Sequence, residues 1–323
     1  MRELLQTSRM FTPEYTITPK ILSNIGTIEY GKAVVETRTI LQNWQNQLEK
    51  EAKIQVFLNS LPDMGINPDY AAVKEFMDNL DHSPMQELKN LRKTWDLLPT
   101  LAQSSEIEEN SLKQIHETLS INLVPKTKQG KYRSIKVAEK THPEELLAQM
   151  VEFFDWLNSR EAKETHPILK AGIFKAVMEQ YQPFEPYNPV VANLGMLLIL
   201  KMEGYGKWLS LITRLDNTGA DFTKWLEHFT EGIASETATL KEKVQLLAKD
   251  TKVAKATGRA KISARQERIV EYLQDYGMVQ NKDFGRLFPN ISEDTVLRDL
   301  KRLIDKGIVE KQGSTKNSYY ELV

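Results

Sequence analysis

Apolar residues recur at helical spacing through most of the chain, and the most apolar stretch lies between residues 190 and 200. It follows the polar sequence EPYNP at residues 185–189. Asn188 is a favourable N-cap residue, and Pro189 suits the first helical position because its φ is preset and it has no N–H that needs a partner. We therefore expect a helix from Val190 to Leu200 that begins sharply and is buried on nearly all sides.

Two amphipathic patterns precede this run and predict the helices that pack around it. They cover Pro143 to Ser159 and Pro167 to Tyr181. The positions expected to face the core are Leu147, Met150, Phe153, Phe154 and Leu157, then Ile168, Ala171, Phe174 and Val177. Further helical patterns extend over Leu48 to Ser60, Ser111 to Leu119, Trp208 to Thr230 and Glu231 to Lys261. The chain is therefore expected to be mainly α-helical.

A polar segment from Lys126 to Val137, KTKQGKYRSIKV, interrupts the helical patterns. Its second half alternates apolar and polar positions, which predicts a short β-hairpin. Its cations, including Lys128 and Arg133, are suited to gripping a phosphate, although a solvated loop is the commoner role for such charges. Both interpretations remain open from the sequence.

The C-terminal region shows a different pattern, with three short helices followed by two strands. The helices are expected at Ser263 to Tyr276, Asn281 to Leu287 and Glu293 to Lys306, and the strands at Ile308 to Lys311 and Tyr319 to Leu322. This order is that of a winged helix, and residues 291–313 resemble the recognition helix and wing of bacterial repressors. The candidate DNA contacts are Arg298, Lys301, Arg302, Lys311 and Lys316.

The charges of this C-terminal region are weaker evidence for DNA binding than its pattern of helices and strands. Glu293 and Asp294 lie in the first turn of the expected recognition helix, where base edges are usually read. Residues 260–323 carry eleven basic and ten acidic side chains, whereas a DNA-binding domain is usually more basic. The preceding segment from Lys241 to Lys261 has seven basic and two acidic residues, which fits either a solvated linker or a phosphate-contacting arm.

Composition narrows the class of protein. The 323 residues are 41% hydrophobic and 27% charged, and the net charge of −1 gives no overall attraction to nucleic acid or to an anionic membrane. There is no cysteine, which excludes disulfides and a thiol nucleophile, and no pair of histidines has the spacing of a zinc site. No signal-peptide pattern is present, and residues 190–200 are too few to span a bilayer. We therefore expect a soluble, cytoplasmic protein with no membrane partner.

The sequence QPFEPYNPVVAN at residues 182–193 resembles the signature loop of Fic proteins, HPFx(D/E)GN(G/K)RxxR, which joins two core helices in that family. Pro183, Phe184 and Asn188 match the motif, and the flanking chain from about Phe11 to Lys207 is also similar to the family. Fic proteins usually transfer AMP from ATP to a hydroxyl group of a target protein. The resemblance implies an all-α Fic-like core with a short β-hairpin flap. Gly130, Tyr132 and Arg133 resemble the GxYR segment of that flap.

The motif positions that carry chemistry in the family hold other residues in this chain. The base is replaced by Gln182, the acidic metal ligand by Pro186, the two glycines by Tyr187 and Pro189, and the two arginines by Val190 and Asn193. Loss of a general base typically costs ~10²–10⁴-fold in rate. Pro186 offers no side-chain oxygen to a divalent ion, and Val190 removes a cation from the phosphate site. We expect no intact catalytic site, no metal site and no cofactor, with ATP and Mg²⁺ relevant only if activity is retained.

Many Fic proteins carry an inhibitory helix with the pattern (S/T)xxxE(G/N), whose Glu blocks the ATP site. The corresponding segment of this chain can be aligned in two frames. One places Asp63 at the Glu position, and the other aligns Ser60, Met64 and Gly65. Neither frame supplies the full motif. Residues 105–110 satisfy the pattern, but they lie directly before the first core helix, so we interpret them as an acidic helix start.

These patterns predict four regions: an N-terminal helical arm at 1–110, a Fic-like core at 111–230, a basic helical linker at 231–262 and a winged helix at 263–323. Three functions remain open. In the first, the chain is a regulatory or interaction protein that has lost AMP transfer. Such a protein would bind DNA at the winged helix, or a protein partner at the flap or core. Alternatively, it is an active AMP transferase with a rearranged site, or a transcriptional regulator whose Fic-like domain senses a ligand or dimerises.

Overall fold

The computed structural model describes residues 11–67, 69–78, 85–205, 222–256, 262–289, 291–313 and 318–322. Within these ranges the chain is mainly α-helical with one small antiparallel sheet, so the prediction of a mainly α-helical fold is confirmed. Residues 208–221 of one predicted helix, residues 257–261 of another, and Lys316 lie outside the described residues. No helix in the described ranges is long and apolar enough to cross a membrane.

The chain divides into two compact units. Residues 1–33 and 51–240 form the first unit, and residues 34–50 and 241–323 form the second. In chain order the helices up to residue 256 are α1 (Pro19–Thr37), α2 (Gln42–Ser60), α3 (Tyr70–Asp78), α4 (Gln86–Leu101), α5 (Glu109–Ser120), α6 (Pro143–Leu157), α7 (Arg160–Glu164), α8 (Pro167–Tyr181), α9 (Asn188–Met202) and α10 (Phe222–Ala256). The four-part division expected from the sequence stays a prediction.

Helix α9 lies at the centre of the first unit. Every residue from Val190 to Leu200 is buried, as the continuous apolar run predicted. Helix α8 is its main packing partner, and α4 and α5 also contact it. Gly195 allows this close packing, because a Cβ at this position would lie 2.5 Å from the ring of Phe174. The core is therefore built around the pair of helices that flanks the signature loop.

Two expectations for the first unit are corrected by the structure. Leu147, predicted to face the core, is 59% exposed, because the buried face of α6 is formed by Met150, Phe153 and neighbouring residues. The expected β-hairpin flap at residues 126–137 contains no β-strand. Its backbone forms turns, and Arg133 N–H donates to the carbonyl of Pro183 instead of to a partner strand.

The C-terminal part of the second unit contains α11 (Ala264–Tyr276), α12 (Phe284–Leu287) and α13 (Glu293–Asp305), together with strands β1 (Val279–Gln280), β2 (Val309–Gln312) and β3 (Tyr319–Leu322). The strands form an antiparallel sheet in the order β1-β3-β2. Val296, Leu300 and Leu303 of α13 are buried in a core that includes residues of α11, α12 and the sheet. The predicted elements are found here, and the two-residue strand β1 is an addition that its short pattern did not reveal.

Candidate functional site

The signature loop turns between α8 and α9 through two residues in the left-handed region. Helix α8 ends at Tyr181, and Gln182 follows with φ 44°. Tyr187 precedes α9 with φ 70°. A non-glycine residue in this region is uncommon and costs roughly 1 kcal/mol or more. At Tyr187 this left-handed turn lies where the family motif has glycine, and the tyrosine in its place is half-buried.

Asn188 braces the loop rather than capping the helix. Its Oδ1 accepts a hydrogen bond from the Phe184 N–H at 2.8 Å, and its Nδ2 donates to the Phe184 carbonyl, also at 2.8 Å. Tyr187 occupies the N-cap position and makes no side-chain cap. The expectation that Asn188 caps α9 is therefore wrong, because its amide is already used to close the loop on itself.

Arg133 holds the flap segment against the end of α8. The guanidinium is buried and donates to the carbonyls of Gln182 at 2.8 Å and Tyr181 at 3.1 Å. It also donates to Ile135 at 2.8 Å and to Thr141. These carbonyls include two that a helix C-terminus leaves without partners. Arg133 is thereby committed to the backbone and is not placed to grip a phosphate.

The residues of this loop do not fit the divalent ion that the resemblance to Fic proteins implies. Pro186, at the position of the metal ligand, has no side-chain oxygen and is exposed. The neighbouring carboxylate, Glu185, pairs with Lys128 Nζ at 2.5 Å. Among the described residues, no group of three or more His, Asp or Glu side chains is placed to hold a metal ion. The loop therefore gives no basis for a metal-dependent step.

Phe184 packs in an aromatic and polar cluster with α5 and the flap. The His116 ring stacks on Phe184 with centroids 4.4 Å apart, and the Tyr132 ring lies 5.4 Å away. His116 Nδ1 accepts a hydrogen bond from Gly130 N–H at 3.0 Å, so the neutral ring carries its proton on Nε2. Burial lowers the pKa of His116 to about 4. This histidine is neutral near pH 7 and joins α5 to the flap.

Gly130 and Tyr132 fit closely against α5. Gly130 has φ 65°, and a Cβ there would lie 3.1 Å from the carbonyl oxygen of Lys113. Lys113 Nζ lies 4.7 Å from the centre of the Tyr132 ring. Burial and the nearby carboxylate of Glu109 raise the pKa of Tyr132. The tyrosine is therefore protonated and supports the flap.

The position of the second motif arginine has become part of the protein interior. Asn193 is 2% exposed, and its Oδ1 accepts a hydrogen bond from Lys175 Nζ at 2.7 Å. Lys175 is 3% exposed and also pairs with Glu179, one turn further along α8. A buried ammonium needs such partners because an unpaired buried charge is strongly destabilising. Asn193 is thus committed to the α8–α9 interface.

The remnant of the inhibitory segment lies where α2 ends. Ser60 is buried at the end of α2, and its hydroxyl donates to the Val56 carbonyl at 2.8 Å. Residues Pro62–Met64 form a single 3₁₀ turn, which Gly65 closes with φ 80°. This turn contacts α9. The structure therefore places this segment against the helix that carries Asn193. Both alignment frames of the segment stay predictions.

The candidate DNA contacts belong to the second unit. Arg298, Lys301 and Arg302 are exposed on α13, and Lys311 is exposed on β2. Arg302 Nη1 lies 3.9 Å from the buried Asp299 carboxylate, which also pairs with Arg265. Glu293 and Asp294 are exposed in the first turn of α13, as the sequence indicated.

Sequence reasoning did not identify Lys175, Glu179 or His116. The signal available for Lys175 was a lysine within the apolar pattern of α8, four residues before Glu179, which indicates an ion pair along the helix. The contact of His116 with the flap, and that of Lys175 with Asn193, join residues that are distant in sequence. No spacing in the sequence predicts such contacts.

Part of the chain is similar in sequence to a protein of known activity. A segment of 111 residues, 33% of the chain, is 34% identical to protein adenylyltransferase Fic of Nematostella vectensis. That segment covers 26% of the relative, so the chain matches about a quarter of its length. A scan against models of protein families gives no match.

Among solved structures, a Fic family protein from Desulfovibrio desulfuricans G20 superposes with a TM-score of 0.61 at 19% identity, covering 97% of this chain and 98% of the other. A Fic-domain signalling protein from Bacteroides thetaiotaomicron gives 0.56 at 15% identity, covering 69% of this chain and 98% of the other. Fic-1 from C. elegans gives 0.55 at 15% identity, covering 70% of this chain and 71% of the other. The chain has the fold of Fic proteins.

Proposed function

We propose that this chain is a Fic-fold protein that no longer transfers AMP and acts as a regulatory or interaction protein. The observation that carries the proposal is the bond between Asn193 and the buried Lys175. In the family motif the position of Asn193 holds an arginine, which would add a cation next to this ammonium. At the motif positions of the base and the metal ligand, Gln182 and Pro186 supply neither group.

Calorimetric titration of the protein with ATP and Mg²⁺ tests whether the loop still binds the nucleotide. With Pro186, Pro189 and Val190 in the loop, the phosphate groups would meet few donors and no motif arginine. We expect a dissociation constant in the high micromolar range or weaker, roughly −5 kcal/mol or less favourable. Low-micromolar binding of ATP would contradict the proposal and indicate a nucleotide sensor.

The relative from Nematostella vectensis is named an adenylyltransferase, which keeps AMP transfer as the alternative activity. An active site in this chain would need a proton acceptor other than Gln182. It would also need cations for the phosphates at positions other than Val190 and Asn193. Because the base, the metal ligand and the motif arginines are all replaced, the inactive form is the better supported proposal.

DNA binding by a winged helix in the second unit is a second candidate. The arrangement of α11, α12, α13 and the β1-β3-β2 sheet matches the element order of that fold. Exposed Arg298, Lys301 and Lys311 support the candidate, whereas Arg302 is partly neutralised by Asp299. Binding would therefore depend mainly on contacts to phosphate groups.

Mobility shifts with genomic fragments at ~50 mM salt test this candidate. Each phosphate-contacting side chain should add ~0.9 to the slope of log affinity against log salt, so Lys311→Ala should lower the slope by about that amount. Arg298→Ala should instead alter the sequence preference. Lys282→Ala, an exposed lysine before α12, is the matched control and should leave both unchanged. If no fragment is shifted, DNA binding is rejected and the unit serves protein docking.

A further inference from the structure

The exposed face of α6 carries apolar side chains that the core does not use. Leu147 is 59% exposed and Val151 is 44% exposed. They are four residues apart and therefore neighbours on one side of the helix. Glu144 and Asp155 continue the same line at spacings of three and four residues, and both are exposed. We call these four residues the α6 ridge; it is about 16 Å long at 1.5 Å per residue.

The charge of α6 is entirely of one sign. The helix contains four acidic residues and no Lys or Arg. Glu144 and Glu145 in the first turn are favourable for the helix dipole, but Asp155 lies in the last turn, where a negative charge is unfavourable. Asp155 has no ion-pair partner among the described residues. The helix dipole therefore accounts for the presence of Glu144 and Glu145 in the first turn, but not for Asp155 in the last turn.

We propose that the α6 ridge binds an amphipathic, basic helical segment of a partner protein. Two apolar side chains at i and i+4 spacing on the partner would cover Leu147 and Val151, and Lys or Arg side chains would meet Glu144 and Asp155. Anionic partners are disfavoured, because a surface that is acidic at both ends repels phosphates. This proposal gives the interaction role proposed above a surface and a partner chemistry. It rests on that part of the proposed function alone and is independent of AMP transfer.

The direct test uses a fluorescein-labelled 15-residue peptide of leucine and lysine with its leucines on one helical face. Its matched control peptide has glutamate in place of each lysine. Fluorescence anisotropy at ~150 mM salt should give a dissociation constant on the order of 10–100 µM for the basic peptide. The acidic peptide should bind at least about tenfold more weakly, because its charges oppose those of the ridge.

Two variants of the full chain assign the binding to the ridge. Leu147→Ser with Val151→Ser removes the apolar contacts, and Glu144→Lys with Asp155→Lys reverses the charges; each should weaken binding about tenfold or more. Both variants change exposed positions, so the fold should be kept. The matched control is Leu22→Ser with Glu14→Lys, an exposed pair on the N-terminal arm, which should change binding less than twofold.

The proposal is overturned if the basic peptide does not bind at ~1 mM, or if the ridge variants bind it as well as the control variant does. It is also overturned if light scattering shows a homodimer that Leu147→Ser with Val151→Ser dissociates, because a second copy would then occupy the ridge. None of these outcomes bears on AMP transfer, which is measured separately with labelled ATP.

Discussion

Lys175 Nζ donates a hydrogen bond to Asn193 Oδ1 at 2.7 Å across the interface of α8 and α9, and both side chains are buried. The two side chains are complementary as hydrogen-bond donor and acceptor. An asparagine oxygen accepts from a lysine, whereas an arginine at the same position would place two cations together in an interior of low dielectric constant. The position that holds the second arginine of the family motif is here a hydrogen-bond partner within the core.

Restoring the motif residue with Asn193→Arg should therefore destabilise the protein. Lys175 would keep Glu179 but lose Asn193 Oδ1 as an acceptor, and it would meet a second buried cation. We therefore expect a decrease in the free energy of unfolding of about 3 kcal/mol or more, measured by urea denaturation. Asn193→Asp is the matched control, because it keeps the size and offers Lys175 a carboxylate; its effect should stay within about 1 kcal/mol. Equal stability of Asn193→Arg and the wild type would show that Lys175 does not need Asn193.

Asn188→Ala removes both hydrogen bonds between this side chain and Phe184. The loss should be about 2 kcal/mol in the free energy of unfolding, because each net hydrogen bond contributes roughly 1 kcal/mol. Asn188→Asp keeps the acceptor for the Phe184 N–H and removes the donor, so its loss should be about half as large. If the two variants are equally stable, the hydrogen bond from the Phe184 N–H to Asn188 Oδ1 contributes nothing.

Arg133→Lys tests the attachment of the flap to α8. An ammonium on a flexible stem cannot match the fork of the guanidinium, and several buried carbonyls would lose their donors. We expect a loss of about 3 kcal/mol in unfolding free energy, together with faster protease cleavage within residues 126–137. Lys131→Ala, two residues away and exposed, is the control and should change the stability by less than about 0.5 kcal/mol. Unchanged protease sensitivity of Arg133→Lys would contradict this account of the flap.

His116 should make the stability depend on pH below neutrality. Its pKa is lowered from 6.5 to about 4 by burial, so in between the unfolded chain binds a proton that the folded protein does not. Stability is therefore lost as the pH falls from about 6.5 toward 4, on the order of 3 kcal/mol in total. Urea unfolding at several pH values measures this loss, and His116→Gln should remove it while His142→Gln, at an exposed position, should not. Identical pH profiles for His116→Gln and the wild type would rule out a titrating His116.

Local signals in the sequence predicted the helices that hold the site. The polar turn before Val190 and the apolar run after it gave the start and the burial of α9, and the amphipathic pattern after Pro167 gave α8. Both helices are long enough for these local signals to identify them. In contrast, β1 has two residues and no period that a sequence pattern can show.

The contacts that give the loop its character were not predictable, because they join distant residues. The Arg133 guanidinium and the Gln182 carbonyl are 49 residues apart in the sequence, and the alternating pattern around Arg133 suggested a strand instead. Leu147 fits the apolar spacing of α6 as well as Met150 does, yet only the packing of neighbouring helices decides which of them is covered. Asn188 is a favourable cap by type, but the tight turn offers its amide two backbone groups of Phe184.

The most direct test of the central claim is AMP transfer itself. Purified protein is incubated with ATP labelled at the α-phosphate and with Mg²⁺, alone and with a cell lysate, and incorporation is read after denaturing electrophoresis. We predict no label on the protein or on lysate proteins, and none after Gln182→His, because that variant restores the base but neither the metal ligand nor the cations. Strong labelling by the wild-type protein that disappears in Asn188→Ala would contradict the claim.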